Sequence, residues 1–178
     1  MIAIRPRLLM PLAALALTVT AAAHATLART GDANVTFNAT GPAGLKIVGT
    51  TSELSVAETE QDVVVTVPLR NLDTKIELRN KHMREKYLEV GKYPNAELRV
   101  AKSAVQGPSG KANGSLTLHG QTRPVTFSYT TKPDGAATGV TGNLHLNMFD
   151  FGIEKPGYAG VTVKPDIDVT ASFRVNKS

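Results

Sequence analysis

The sequence carries four histidines, His24, His82, His119 and His145, and no cysteine. Imidazole could ligate a metal or move a proton near neutral pH. His82, His119 and His145 are widely separated, however, and no close His/Asp/Glu spacing accompanies them, so the expectation is no metal site. Asp150-Phe151-Gly152 resembles the magnesium-binding triplet of protein kinases, but the glycine-rich loop, strand lysine and catalytic-loop aspartate that must act with it are missing. Neither a G-x-S-x-G elbow nor a phosphate-cradling loop is present, so no catalytic residue is nominated and the chain is not expected to be an enzyme. One polar pair remains. Arg79 and Asn80 fall inside or beside an apolar helical stripe, where they either satisfy loop carbonyls or meet a ligand's polar head through Arg79.

The elements that must position such groups are strands. Period-2 alternation places Val35, Phe37 and Ala39 on one face, then Leu45 with Ile47, and then Val63, Val65, Val67 and Leu69. It resumes at Ala96, Leu98 and Val100, continues at Leu116 with Leu118 and at Val125, Phe127 and Tyr129, and recurs at Leu144, Leu146 and Met148. The last run is Ile167, Val169, Ala171, Phe173 and Val175. Turn signals at 41–44, 107–110, 133–135 and 155–157 separate these runs. About eight amphipathic strands with short links form either a sandwich or a closed barrel. Closure removes vulnerable edges, and the run from Asp166 to Val175 is long enough to pair with the first strand. The expected fold is therefore all-β, an eight-stranded antiparallel barrel with one inserted amphipathic helical segment. After Met148 the alternation shifts to Phe149 and Phe151, as at a bend or bulge.

That helical segment is IELRNKHMREKYLEVGKYP, residues 76–94. Thr74-Lys75-Ile76-Glu77 has capping-box form, Glu77 and Lys81 stand at i and i+4, and Gly91 and Pro94 end the run. Ile76, Met83, Tyr87 and Val90 make a dry stripe that an open barrel end would cover.

Residues 1–25 read as a secretory signal peptide, with Arg5 and Arg7, an apolar run from Leu8 to Ala23 and the small-x-small triplet Ala23-His24-Ala25. A second cut is available after Ala28, which makes residues 29–178 the mature domain. The apolar run is short for a membrane span, and the missing cysteine removes a lipid anchor, so no stable membrane anchor is expected. Without Arg5 and Arg7 the balance is 18 basic to 15 acidic residues, and this scattered charge gives no reason to expect nucleic acid. Export to the periplasm is the expected destination, with extracellular release as the alternative. Oligomeric state stays open between monomer and dimer.

Several separated stretches carry a resemblance. They are Arg79 and His82 in an R-x-x-H segment, Lys92-Tyr93-Pro94 before a strand, Leu116-Thr117-Leu118-His119-Gly120-Gln121-Thr122, and Asp150-Phe151-Gly152. In that order they resemble the YceI-like family of bacterial lipid-binding proteins. The resemblance implies a lipocalin-like antiparallel barrel, typically periplasmic, holding a polyisoprenoid or quinone-like molecule in its lumen. The sequence departs from many members at Gly41-Pro42-Ala43-Gly44, where a histidine-containing segment is common, and at Asn80, where aspartate is usual. These departures leave the ligand's identity open.

The candidate ligand-binding residues follow from the inward faces, the helical stripe and the shifted aromatics. They are Phe37, Ile47, Val65, Val67, Ile76, Arg79, Met83, Tyr87, Leu98, Leu116, Leu118, Phe127, Leu144, Leu146, Phe149 and Phe151. Alternation alone does not separate a hollow interior from one filled by its own side chains. Three functions stay open: an isoprenoid-lipid carrier, a scavenger of lipophilic small molecules such as antibiotics, and a structural or partner-binding barrel with a filled core.

Overall fold

The structure is a computed structural model that describes residues 27–158 and 161–177. The expected signal peptide lies outside these residues. The alternative cut after Ala28 falls inside the first strand, where Leu27 and Ala28 pair with Lys177 and Asn176.

Strands β1 (Leu27–Thr40), β2 (Lys46–Thr51), β3 (Ser55–Glu58), β4 (Asp62–Pro68), β5 (Asn95–Ala101), β6 (Ser109–Leu118), β7 (Gln121–Asp134) and β8 (Ala137–Asn147) precede a two-residue hairpin. That hairpin is β9 (Gly157–Tyr158) and β10 (Val161–Thr162), and the chain closes on β11 (Asp166–Lys177). Nine strands form one antiparallel sheet in the order β2-β1-β11-β8-β7-β6-β5-β4-β3. The last strand pairs with the first, as its length predicts.

The ninth strand, β3, was not expected from the alternation. Its four residues carry one buried apolar side chain, Val56, too few to establish a period. Closure also differs from the expected continuous ladder, because β2 and β3 are not hydrogen-bonded to each other. Two devices close the seam. Val56 of β3 packs in one buried cluster with Val35 of β1, and Thr50 of β2 exchanges two backbone hydrogen bonds of 2.9 Å with Asp73 beyond β4. A register shift between Thr30 and Asn34 of β1 leaves three residues opposite Phe173 of β11, which bends the strand around this seam.

Two close contacts fix local geometry. His119 (φ 50°) and Gly120 (φ 72°) form the two-residue turn between Leu118 and Gln121, the left-handed pair that a tight hairpin requires. Gly49 lies opposite Phe37, and a Cβ there would stand 2.1 Å from the phenyl ring. Gly49→Ala should therefore displace Phe37 and destabilise the barrel by about 1–3 kcal/mol, the usual cost of overpacking. Urea unfolding should show a lower midpoint, and an unchanged midpoint would mean the ring has room to move.

Candidate functional site

The strand faces enclose a cavity of about 1010 Å³. Its wall is the inward set of the alternation: Val35, Phe37, Ala39, Ile47, Val63, Val65, Val67, Ala96, Leu98, Leu116, Leu118, Leu144, Leu146, Ile167, Val169, Ala171 and Phe173 all line it. Side chains of this size, pointing inward from a rolled nine-stranded sheet, do not meet across the middle. The interior is hollow, so the alternative of a filled core does not describe this barrel.

The cavity has two ends. Its foot lies where β3 ends and β4 begins, with Val105, Thr131, Thr138 and the ion pair between Lys102 and Glu58 at 3.4 Å. Its mouth lies at the β1–β2 connection and the segment after β4, where Pro42, Leu45, Ile76, Leu78, Arg79, His82, Met83 and Tyr87 line it.

Helix α1 (Glu77–His82) crosses the mouth and continues into one wider turn, Met83–Tyr87, in which Leu88 N–H reaches the Met83 carbonyl at 2.8 Å. Ile76, Met83 and Tyr87 of the expected dry stripe line the cavity, while Val90 packs against the main core cluster. The Tyr87 hydroxyl ties this lid to β9, donating to the Gly157 carbonyl and accepting from the Gly157 N–H, each at 3.1 Å.

The lid's root is held differently from the expected capping box. Ile76, not Thr74, precedes the helix, and no side chain caps it. The Thr74 N–H and hydroxyl instead both donate to Asn80 Oδ1, at 2.8 and 2.7 Å. Asn80 Nδ2 donates to Asp73 Oδ1 at 2.9 Å. Arg79 Nε donates to the Thr74 hydroxyl at 2.8 Å, and its Nη2 donates to the Thr74 carbonyl. Glu77 forms its ion pair with Arg84 at 3.7 Å, one helical turn past the expected Lys81. Asn80 and Thr74 are buried, at 4 % and 3 % exposure, so these bonds replace water that neither group can reach. Both readings of Arg79 share this geometry: two of its five N–H groups hold the loop, and the side chain still lines the cavity.

Asp73 is the junction. Hydrogen bonds from the Lys75 ammonium, the Asn80 amide and the Lys75 backbone hold its carboxyl well below the usual carboxylate range. Behind the lid, His119 clamps the lid's end: Nε2 lies 2.7 Å from Glu89 Oε2 and Nδ1 lies 3.1 Å from the Phe151 carbonyl.

Fourteen of the sixteen candidate residues stand on the cavity wall. Phe149 and Phe151 do not. They sit in a 3₁₀ turn, Met148–Phe151, started by Asn147 Oδ1 accepting from Phe149 N–H at 3.0 Å. With about three residues per turn, positions i and i+2 point to different sides, so the strand rule fails there. Phe149 is 48 % exposed, and Phe151 is sealed in the core at 1 % behind the wall. Sequence reasoning missed the foot pair Glu58 and Lys102 and the rim residue Leu78, which the alternation did not mark. His145, with Asp168 at 2.8 Å, is exposed and away from this cavity. Among the described residues no three His, Cys, Asp or Glu side chains are placed to hold a metal.

The profile of the YceI-like domain matches residues 18–175. The chain belongs to the YceI-like family. Among YceI-like relatives it is 36 % identical over 99 residues to a UPF0312 protein of Pseudomonas putida (strain W619), covering 51 % of this chain and 52 % of that one. A UPF0312 protein of Pseudomonas syringae pv. tomato is 35 % identical over 100 residues, covering 52 % of this chain and 51 % of its own. The chain thus spans about half the length of the curated relatives it matches. In three dimensions it is similar to a polyisoprenoid binding domain from Saccharophagus degradans implicated in plant cell wall breakdown. That superposition has a TM-score of 0.73 at 16 % identity and covers 87 % of this chain and 100 % of that one. BcnA of Burkholderia cenocepacia superposes with a TM-score of 0.67 at 18 % identity, covering 80 % and 95 %. At these identities the likeness establishes the YceI-like fold.

The Asp73–Asn80 contact depends on an amide: Asn80 Nδ2 faces the Asp73 carboxylate as a donor. Asn80→Asp would set two carboxylates side by side in place of an amide donor, costing about 1–3 kcal/mol at neutral pH. Asp73→Asn in the same chain should restore most of it, and thermal melts of the two variants and the pair test this. Asp73's own contribution has a definite sign. Its folded pKa is depressed, so its stabilisation is present above the unfolded value of about 3.9 and is lost as pH falls below it. Protection factors of the amides at residues 74–82, corrected for the intrinsic slowing of exchange in acid, should therefore fall on acidification below about pH 4.

Proposed function

We propose that the protein binds one long apolar chain, an isoprenoid-type lipid or quinone-like molecule, in its lumen and carries or sequesters it in the periplasm. The observation that carries this reading is the hollow, aliphatic interior of about 1010 Å³. That volume stands at the top of the roughly 300–1,000 Å³ typical of small-molecule sites. Taking a heavy atom's share of condensed volume as about that of water, ~30 Å³, it holds on the order of 30 heavy atoms. β4 alone, seven residues long, extends roughly 20 Å from foot to mouth. A linear chain fits these proportions better than a compact drug-like molecule, which favours the lipid over the small-molecule scavenger.

Energetics point the same way. Each buried methylene-sized group contributes about 0.8 kcal/mol, so a five-carbon unit contributes about 3 to 4 gross. One neutral hydrogen bond to a head group nets about 1. Chain length inside the lumen therefore sets affinity, and Arg79 or His82 at the mouth adds a smaller correction for the head group. This is binding without a catalytic step. The assignment to the periplasm rests on the n-region, apolar run and small-x-small triplet of residues 1–25.

Native mass spectrometry of protein purified from its own periplasm should show an apolar adduct of about 30 heavy atoms, released by solvent extraction. No adduct, together with no uptake of a fluorescent fatty-chain probe, would defeat the reading. Displacement of that probe by compact lipophilic drugs but not by isoprenoids would favour the scavenger. Met83→Asp, which puts a carboxylate on the lid's dry face, should lower probe retention by about tenfold or more with folding intact by circular dichroism. Unchanged retention would mean the lid does not touch the bound chain.

A further inference from the structure

The mouth of the cavity is not finished as a surface meant only for water. Leu45, Ile76 and Leu78 are exposed at 58 %, 51 % and 57 %, and all three also line the opening. They come from two separate segments, the β1–β2 connection and the start of the lid. Single exposed aliphatics are ordinary, but three converging on the rim of an apolar cavity make one continuous greasy surface from outside to inside.

The charge around that rim is one-sided. Segments 42–46 and 73–82 and, as a third, the described residues 154–158 and 161–164 meet at the mouth, and they carry Lys46, Lys75, Arg79, Lys81, Lys155 and Lys164 against Asp73, Glu77 and Glu154. The Lys164 backbone N–H donates to the Thr40 carbonyl at 2.7 Å, which holds the third segment against the β1–β2 connection. Two of the three carboxylates already have cationic partners, Asp73 with Lys75 at 2.8 Å and Glu77 with Arg84 at 3.7 Å. Lys46, Lys81, Lys155 and Lys164 are exposed.

We infer that this rim docks reversibly onto an anionic lipid bilayer. Leu45, Ile76 and Leu78 enter the interface while the surrounding lysines face lipid phosphates, so a long apolar chain passes between bilayer and lumen without crossing water. A few aliphatic side chains with a basic surround give attachment that is reversible, as a carrier requires. A second copy of the chain would bring a like-charged rim to the same surface, and that repulsion disfavours self-pairing. The purpose of docking rests on the proposed lipid-filled lumen, but docking itself needs no lumen ligand.

Flotation with vesicles tests it, using phosphatidylcholine alone or mixed with phosphatidylglycerol. The protein should float with the mixed vesicles, much less with phosphatidylcholine alone, and less as salt rises. Leu45→Asp with Leu78→Asp should lower the bound fraction by about tenfold or more, the burial worth of such side chains. Lys46→Glu with Lys81→Glu should abolish the preference for phosphatidylglycerol, which tests the charge if the leucine variant folds poorly. Equal flotation with both vesicle types, or full binding by both variants, overturns the proposal. So does a dimer that the leucine variant dissolves while vesicles are ignored. Because fatty-probe uptake is measured without vesicles, failure to dock and failure of the lumen to bind lipid are separate results.

Discussion

The reach of the inward side chains governs this molecule. A rolled sheet of nine strands is wider than two opposed valine, leucine or alanine side chains can bridge, and the inner wall is built mostly of these. Each lining atom forfeits dispersion contacts on the side that faces the void, so an apolar occupant would give the wall more than it could gain from water. The largest inward rings stand at edges of this space rather than across it. Phe37 lies over Gly49, and Phe127 and Tyr129 pack together with Val100 and Ala112 in a cluster of their own.

A hollow barrel needs a lid whose position does not depend on packing into a solid centre. The hydrogen bonds around Asp73 meet that need. Its backbone pairs with Thr50 across the seam while its carboxylate gathers Lys75 and Asn80, so a single residue joins the β2 edge to the helix over the mouth. At the far end of the lid, Tyr87 fastens to Gly157 and Glu89 to His119. The lid is therefore anchored by polar contacts at root and end, and its apolar face is left for the cavity.

Much of this was legible in the sequence, and the reason is parity. In a strand every second side chain faces inward, so identifying the runs also identified the wall, from Val35 to Val175. Parity fails where the backbone leaves the strand conformation. The 3₁₀ turn at 148–151 sent Phe149 outward and Phe151 into the core, and the four residues of β3 were too few to show a period. The capping box at Thr74 was misleading for another reason. Local spacing cannot reveal that the Thr74 hydroxyl gives its proton to the buried Asn80 Oδ1, six residues on, while its oxygen accepts from Arg79 Nε rather than from the Glu77 amide. Whether the lumen is hollow was also beyond the pattern, since the same alternation serves filled and empty barrels. The resemblance to the YceI-like family supplied that expectation.

The claim most in need of a direct check is that the interior is an open, apolar tunnel suited to a chain. A high-resolution crystal structure of the protein as purified from its native compartment would decide it. The account predicts an open lumen from the rim at Leu45 to the Glu58–Lys102 pair, with continuous elongated density running along it. Phe37, Phe127 and Phe173 turned inward to meet across the centre, leaving no tunnel, would contradict it.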